Sequence, residues 1–395
     1  MKGREWVAGI ALATIGVLVG LVALEVGVRY LHLVPDRFWE PDASRGVRLI
    51  AGKRGWWTQE DREFLVPVQI NGAGWRDVEH AYAKPAGTFR ILIVGDSFVE
   101  AMHVPLEATF PRLLETELNQ DAKGAHIEVV STGVSGYGTA GELLLFEQEG
   151  KRYQPDLVVL AFYPGNDVKN NSPTLEDTLK PVYGADGSLQ KVVSTEPHKK
   201  KPHGWRGLIA RSAAYHYFRQ VLLLRHPQLA QRLVHFGLLK RDAVKTAPQN
   251  AGIPADYGIY ATVPSPQWQE AWQHTEALLA RFQQAVNASG ARFMVAVLSS
   301  RDQVYPKWWQ EIISAHPAMQ GQQWNLDEPQ HRVEAWCGAH DVPWVALTPA
   351  FREAAAHDDA PLHYHHDGHF TAAGHRVAAS VLKNHLEQHR LIPVQ

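Results

Sequence analysis

The sequence predicts an α/β protein built on a buried parallel sheet with helices on both faces. Three observations carry this. Short apolar runs rich in β-branched residues recur at 90–95 (RILIVG), 127–133 (IEVVSTG) and 156–162 (DLVVLAF). Helix-patterned stretches near 106–119 and 140–150 separate them. The first and second runs end in glycine, and the third leads to Tyr163-Pro164-Gly165-Asn166-Asp167. A strand covered on both faces needs apolar residues at nearly every position, whereas a half-exposed strand alternates.

The alternation pauses after 168. Residues 168–265 read as a mainly helical insertion, with a Lys-rich loop at 198–201 and an apolar-basic helical stretch at 208–240. That stretch suits a membrane-surface or lid helix, or an ordinary amphipathic helix packed on the sheet. A helix pattern resumes at Trp268, strands follow at 291–300 and 343–347, and a last helix follows Gly374.

The N-terminus is of another kind. Trp6 to Leu24 carry no charge, and about 20 apolar residues cross a bilayer core as a helix. Lys2 and Arg4 precede this run, which favours a cytoplasmic N-terminus. A cleaved signal peptide is the alternative, but the run exceeds a usual h-region and lacks a small-x-small site. The expected organisation is an anchor at 1–30, a stalk and edge segment at 31–88, and a catalytic-type domain at 89–395. The expected location is a single-pass inner membrane protein with its domain on the outer side.

Composition narrows the classes. Net charge is −2 over 395 residues, so nothing marks a nucleic-acid partner. Cys337 is the single cysteine, which excludes an intrachain disulfide and a multi-cysteine metal site.

Chemistry concentrates at the strand ends, where doubly wound sheets bind ligands. Ser97 follows the first strand at the start of a helix, where backbone N–H groups suit a nucleophile whose attack creates an oxyanion. Alternatively, Asp96 or Ser97 only caps that helix. The second strand runs into Gly133-Val134-Ser135-Gly136, where glycine lets backbone approach a ligand. The third leads to Gly165-Asn166-Asp167, and an asparagine amide can donate to an oxyanion. Either stretch is also ordinary turn composition. Near the C-terminus stand His365, His366, Asp367, His369 and His375. A serine hydroxyl needs a base, usually histidine oriented by a carboxylate, and in an extended segment Asp367 and His369 would share a face. Zinc binding by this cluster is the alternative. No cofactor is expected, and no Gly-rich nucleotide loop follows the first strand.

Together these pieces resemble the SGNH (GDSL-type) hydrolase superfamily. Gly95-Asp96-Ser97-Phe98, Gly133-Val134-Ser135-Gly136, Gly165-Asn166-Asp167 and Asp367-Gly368-His369 match its blocks in order, over roughly 70–170 and 290–390. The resemblance implies a flavodoxin-like three-layer α/β/α fold. It implies Ser97 as nucleophile, His369 as base and Asp367 as its orienting carboxylate. The implied oxyanion hole is Ser97 N–H, Gly136 N–H and the Asn166 amide. The spacing here is Asp-x-His where the common family pattern is Asp-x-x-His, and Phe98 stands where many members carry Leu. His366 is the alternative base, His375 reads as a helix residue, Ser135 as structural, and Asp96 and Asp167 as braces.

The function expected is ester hydrolysis on O-acyl groups of envelope glycans or polysaccharide. Acyl transfer by the same residues, lipid ester hydrolysis and a non-catalytic glycan-binding scaffold are the alternatives. Trp56, Trp57, Trp205, Trp268, Trp308 and Trp309 are candidates to stack on sugar rings, or simply to pack in the core.

Overall fold

The computed structural model describes residues 2–59, 61–120, 125–172, 174–175, 181–183, 189–192, 204, 207, 209–235 and 253–393. The Lys-rich loop at 198–201 and Trp205 lie outside these residues. The chain divides into two compact units. One comprises Met1–Asp36, Trp56–Leu65 and His198–Asn250; the other comprises Arg37–Gly55, Val66–Pro197 and Ala251–Gln395.

The elements begin with α1 (Lys2–Tyr30), β1 (Trp39–Asp42), β2 (Gly46–Leu49), β3 (Arg54–Thr58) and β4 (Leu65–Gln69). Next come β5 (Thr88–Gly95), α2 (Ser97–Glu100), α3 (Phe110–Asn119), β6 (His126–Gly133), α4 (Thr139–Gln148), β7 (Leu157–Phe162) and α5 (Pro164–Asn170). The middle of the chain holds β8 (Pro181–Tyr183), β9 (Leu189–Val192), α6 (Ala213–Arg225), α7 (Pro227–His235) and α8 (Pro266–Ala288). The last part holds β10 (Arg292–Val297), α9 (Arg301–Val304), α10 (Pro306–Ala315), α11 (Glu328–Ala339), β11 (Trp344–Ala346), α12 (Thr348–His357) and α13 (Ala372–Gln388).

In the larger unit, β11-β10-β7-β5-β6 form one parallel sheet. Taken in chain order, its strands lie 2-1-3-4-5, the flavodoxin-like order. Alternate residues of each strand face opposite layers. Leu92, Val94, Val130, Leu160 and Val295 pack with α4, α8 and α11 residues such as Phe146, Phe282 and Trp336. Ile91, Ile93, Val129, Val159 and Met294 pack with α3, α12 and α13 residues such as Leu114, Phe351 and Leu382. The result is the expected three-layer sandwich.

The sequence boundaries shift for local reasons. The strand expected to reach residue 300 stops at Val297, because Ser300 caps α9 through a reciprocal box with Gln303. The first helix after the insertion starts at Pro266, where a missing N–H costs nothing. Trp268 and Trp309, taken as candidate sugar platforms, are buried at 4% and 5% exposure and belong to the core. Trp56, Trp57 and Trp308 are half-buried.

In the smaller unit, α1 is long and apolar enough to cross a membrane from Glu5 to Tyr30, a test that an N-terminal signal sequence also passes. Its Glu25 carboxylate caps α6, accepting from Ala213 N (3.0 Å), Ala214 N (3.0 Å) and Ser212 Oγ (2.7 Å). Arg29 donates to Glu25 (2.7 Å) and to the Arg211 carbonyl (2.8 Å). Tyr215 and Phe218 on α6 stay exposed.

One core residue violates the apolar pattern. Glu142 on α4 is fully buried, and neither carboxyl oxygen has a hydrogen-bond partner among the described residues. Burial, with Asp96 adding repulsion, pushes its pKa well above the usual range. The folded state therefore holds a proton that the unfolded chain releases, and stability falls as pH rises above the ordinary glutamate range. Glu142→Gln is expected to raise Tm by a few degrees (~1 kcal/mol) at pH 8, with the gain shrinking toward pH 5 in melts followed by circular dichroism.

Candidate active site

Strand β5 ends at Gly95, and the chain turns at once into the one-turn helix α2. Asp96 caps it, accepting from Phe98 N at 2.8 Å. Ser97 is thereby the first helical residue, at the carboxyl end of β5. The turn is tight because β5 and β6 end in glycines. A Cβ on Gly95 would strike the Val99 side chain, and one on Gly133 would strike the backbone of Val99 and Glu100.

The His369 Nε2 atom lies 2.7 Å from Ser97 Oγ, and its Nδ1 atom lies 2.6 Å from Asp367 Oδ1. Serine, imidazole and carboxylate thus form one continuous hydrogen-bonded chain. Asp367 and His369 are not on an extended segment as the sequence reading had it. They sit in a turn in which Gly368 takes φ +85° and the His369 N–H also reaches Asp367 Oδ1 (3.1 Å). The Asp-x-His spacing works because the turn, not strand alternation, aligns the two side chains. Bonds from Tyr364 N to His369 O (2.9 Å) and Thr371 N to Leu362 O (3.0 Å) close the loop, and Thr371 then caps α13.

Burial works against the Asp367 charge, but the His369 ring and backbone N–H and the neighbouring imidazoles hold its carboxyl well below the usual range. Asp367 is therefore an ionised acceptor. Such a carboxylate keeps Nδ1 protonated and leaves Nε2 to accept from Ser97.

The other expected residues surround this chain. Gly136 takes φ +80° in the turn after β6. Asn166, in the first turn of α5, donates through Nδ2 to Asp96 Oδ2 at 2.7 Å. An amide carries two N–H bonds, so one proton can be spent on Asp96 and the other on a ligand. Ser135 is tied down: its N–H (3.1 Å) and its hydroxyl both go to Glu100 Oε2. Asp167 braces the third turn by accepting from Tyr163 N at 2.8 Å. His366 is exposed and faces His365 (3.4 Å), while His375 is buried on α13 and accepts from Phe110 N (3.2 Å). The alternative of zinc binding by three of these histidines with Asp367 is therefore not assembled: His366 and His375 point elsewhere.

His103, Asp367 and His369 do have ligand atoms within 4.8 Å of one another. The two rings are nearly parallel, at 12° with centroids 3.9 Å apart. Nitrogen lone pairs lie in the ring planes, and Zn–N bonds are about 2.0–2.1 Å. An ion shared by both rings would sit between the planes, out of line with both lone pairs. As posed, the trio suits hydrogen bonding to the carboxylate better than chelation.

A family model, the GDSL-like Lipase/Acylhydrolase family, matches residues 93–377. The chain belongs to that family of ester hydrolases. Similar solved structures include a GDSL-like lipase from Bacteroides thetaiotaomicron VPI-5482, at 13% identity over 78% of this chain and 93% of that one (TM-score 0.35). An acetyl xylan esterase aligns at 10% identity over 75% of this chain and 98% of that one (TM-score 0.39). A two-domain esterase active on acetylated mannans aligns at 10% over 77% and 50% (TM-score 0.37). No curated protein sequence matches the chain. Membership rests on the 93–377 match, and the fold on the sheet order.

Sequence reasoning missed three residues. Glu100 accepts from Trp39 Nε1 (2.8 Å) as well as from Ser135, and burial pushes its pKa up to about 8. Arg76 is 3% exposed and donates to the carbonyls of Glu100 (3.2 Å), Ala101 and Val104, where the chain leaves α2 with Ala101 at φ +50°. His103 follows on that same turn. Only the Asn71–Asp77 turn signal hinted at Arg76, and no pattern marked the other two.

Gly133→Ala is expected to cost about 2–3 kcal/mol, because backbone atoms stand where its Cβ would go. Gly338→Ala, on the helix α11 with open space around it, is the control and is expected to be neutral or slightly stabilising. Thermal melting of both variants checks the contrast.

Proposed function

We propose that this protein is a serine esterase that removes O-acyl groups from glycans at the cell envelope. The single observation that carries the proposal is the unbroken Ser97–His369–Asp367 hydrogen-bond chain at the sheet's switch point. Ser97 Oγ attacks the ester carbonyl while its proton passes to His369 Nε2, forming the C–O bond and a tetrahedral oxyanion. The Ser97 and Gly136 N–H groups and the Asn166 amide face that oxyanion. The intermediate collapses, the alcohol's C–O bond breaks, and the leaving oxygen takes the proton from His369. Water then repeats the sequence on the acyl-enzyme, releasing the acid and restoring Ser97. Asp367 stays ionised throughout and stabilises the imidazolium.

A glycan alcohol is favoured by what borders the Asp367 turn. A cavity of about 250 Å³ is lined by Arg301, Trp308, Glu311, His316, His365 and His366. Half-buried indole beside charged and imidazole groups suits a sugar ring, which offers both a flat apolar face and hydroxyls. The apolar α1, read as a membrane anchor, would hold the domain at the envelope.

Intact-mass analysis after fluorophosphonate treatment tests the reading. One adduct is expected on the wild type and none on Ser97→Ala. Asp367→Asn is expected to fold normally and lose roughly 10²–10⁴-fold in kcat. A folded wild type that gives no adduct and releases no acid from acetylated sugars would sink the proposal.

A further inference from the structure

Two rings contact the base. Phe98 lies at 4.6 Å between centroids and 35°. His103 stacks at 3.9 Å and 12°. His103 is 5% exposed, and its Nε2 lies 3.5 Å from Asp367 Oδ1, the oxygen that also receives His369 Nδ1. We propose that His103 is a positioning residue of the esterase, which fixes the plane of His369 by stacking and shares the Asp367 charge through an Nε2–H. This rests on the catalytic reading of Ser97, His369 and Asp367.

Three physical points support it. An ionised carboxylate only accepts hydrogen bonds, so the ring nitrogen facing Asp367 carries the hydrogen. Burial, and then the neighbouring His369, keep the His103 pKa well below that of an ordinary histidine, so its ring is neutral and does not repel an imidazolium beside it. The negative face of a neutral ring favours a cation stacked on it. His103 is itself held by the 100–104 turn that Arg76 ties down through three carbonyls. A plane error of an ångström at the base can cost about 10²-fold in rate, so a rigid stacking partner has catalytic consequence without touching substrate.

The groups that bear on the His369 charge are Asp367 in its own turn, His103 on the turn after α2, and Asp96 at the α2 cap. His363 and His375 act at longer range, and the Arg301 guanidinium donates to the His365 carbonyl in the same loop. Of these, His103 is the one that stacks on the His369 ring, and its replacement leaves both the reacting chain and the α2 cap in place.

The test compares His103→Phe and His103→Ala with wild type on p-nitrophenyl acetate, over a full pH range, in the full-length protein. His103→Ala loses the stack and is expected to lower kcat about 10–100-fold with little change in KM. His103→Phe keeps a flat ring and removes the N–H. It is expected to recover to within about fivefold of wild type and to displace the acid limb of the kcat/KM profile from its wild-type position, because the Nε2–H facing Asp367 is gone. The downfield ring N–H resonance of His369 gives a readout independent of turnover, and should broaden or move in His103→Ala. Both folded variants within twofold of wild type, with an unmoved acid limb, would overturn the proposal. So would a His103→Phe variant as impaired as His103→Ala with the limb unmoved, which is the behaviour of a packing residue. Absence of Ser97-dependent turnover in wild type would instead overturn the esterase reading, and the resonance would still report on the stack.

Discussion

The site depends on one geometric constraint, the position of β5 between β6 and β7. All three strands run parallel, and Gly95 pairs with Gly133 on one side and Ala161 on the other. Their carboxyl ends therefore lie level, and the turns that follow open side by side. The winding direction reverses between β5 and β7, so no crossover helix fills the space above that seam. Ser97 leaves β5, Gly136 follows β6 and Asn166 follows β7. Three residues up to 69 positions apart in the chain meet because strand order delivers them. The fourth contribution, the Asp367–His369 turn, enters from the segment leading into α13.

Beneath this seam the protein buries several charges, each tied to a partner. Asp77 accepts from Ser131 N (2.8 Å) and from Arg112 (3.0 Å). Arg90 is fully buried and pairs with Glu128 at 2.7 Å, and Glu128 also meets His80 at 2.6 Å. Taking such groups out of water is costly, and each is repaid only by well-placed partners. What they secure is geometry. The Asn71–Asp77 turn delivers Arg76 to the carbonyls at the end of α2 and Asp77 to the backbone of β6, so both strand-end turns are held from the same short segment.

Much of the fold and part of the site could be read in the sequence. Short, continuously apolar, β-branched runs such as Ile91–Val94 and Leu157–Phe162, alternating with helix patterns, argue for strands buried on both faces, and the strand ends then point to Ser97, Gly136 and Asn166. The Asp367–His369 pair was also visible, although its alignment was misattributed. Strand alternation predicts the alignment, but Gly368 and a turn produce it, because spacing alone does not reveal a positive φ. Trp268 and Trp309 looked like surface platforms since a tryptophan in a polar-flanked helix carries no sign of which side it faces. His103, Glu100 and Arg76 were invisible for a different reason. Their partners lie on other elements, and a contact between distant elements leaves no local periodicity.

The family match begins at residue 93, but the scaffold of the site begins earlier. Trp39 on β1 donates to Glu100, which holds Ser135 beside Gly136, and the Tyr137 hydroxyl donates to the Val47 carbonyl on β2 at 2.6 Å. The β1–β2 hairpin thus works as a brace on the two turns beside Ser97. A family boundary marks where sequences can be aligned, and here it cuts through a mechanical unit. A chain trimmed to that boundary would retain every residue assigned to chemistry and lose the struts that hold two of them in register.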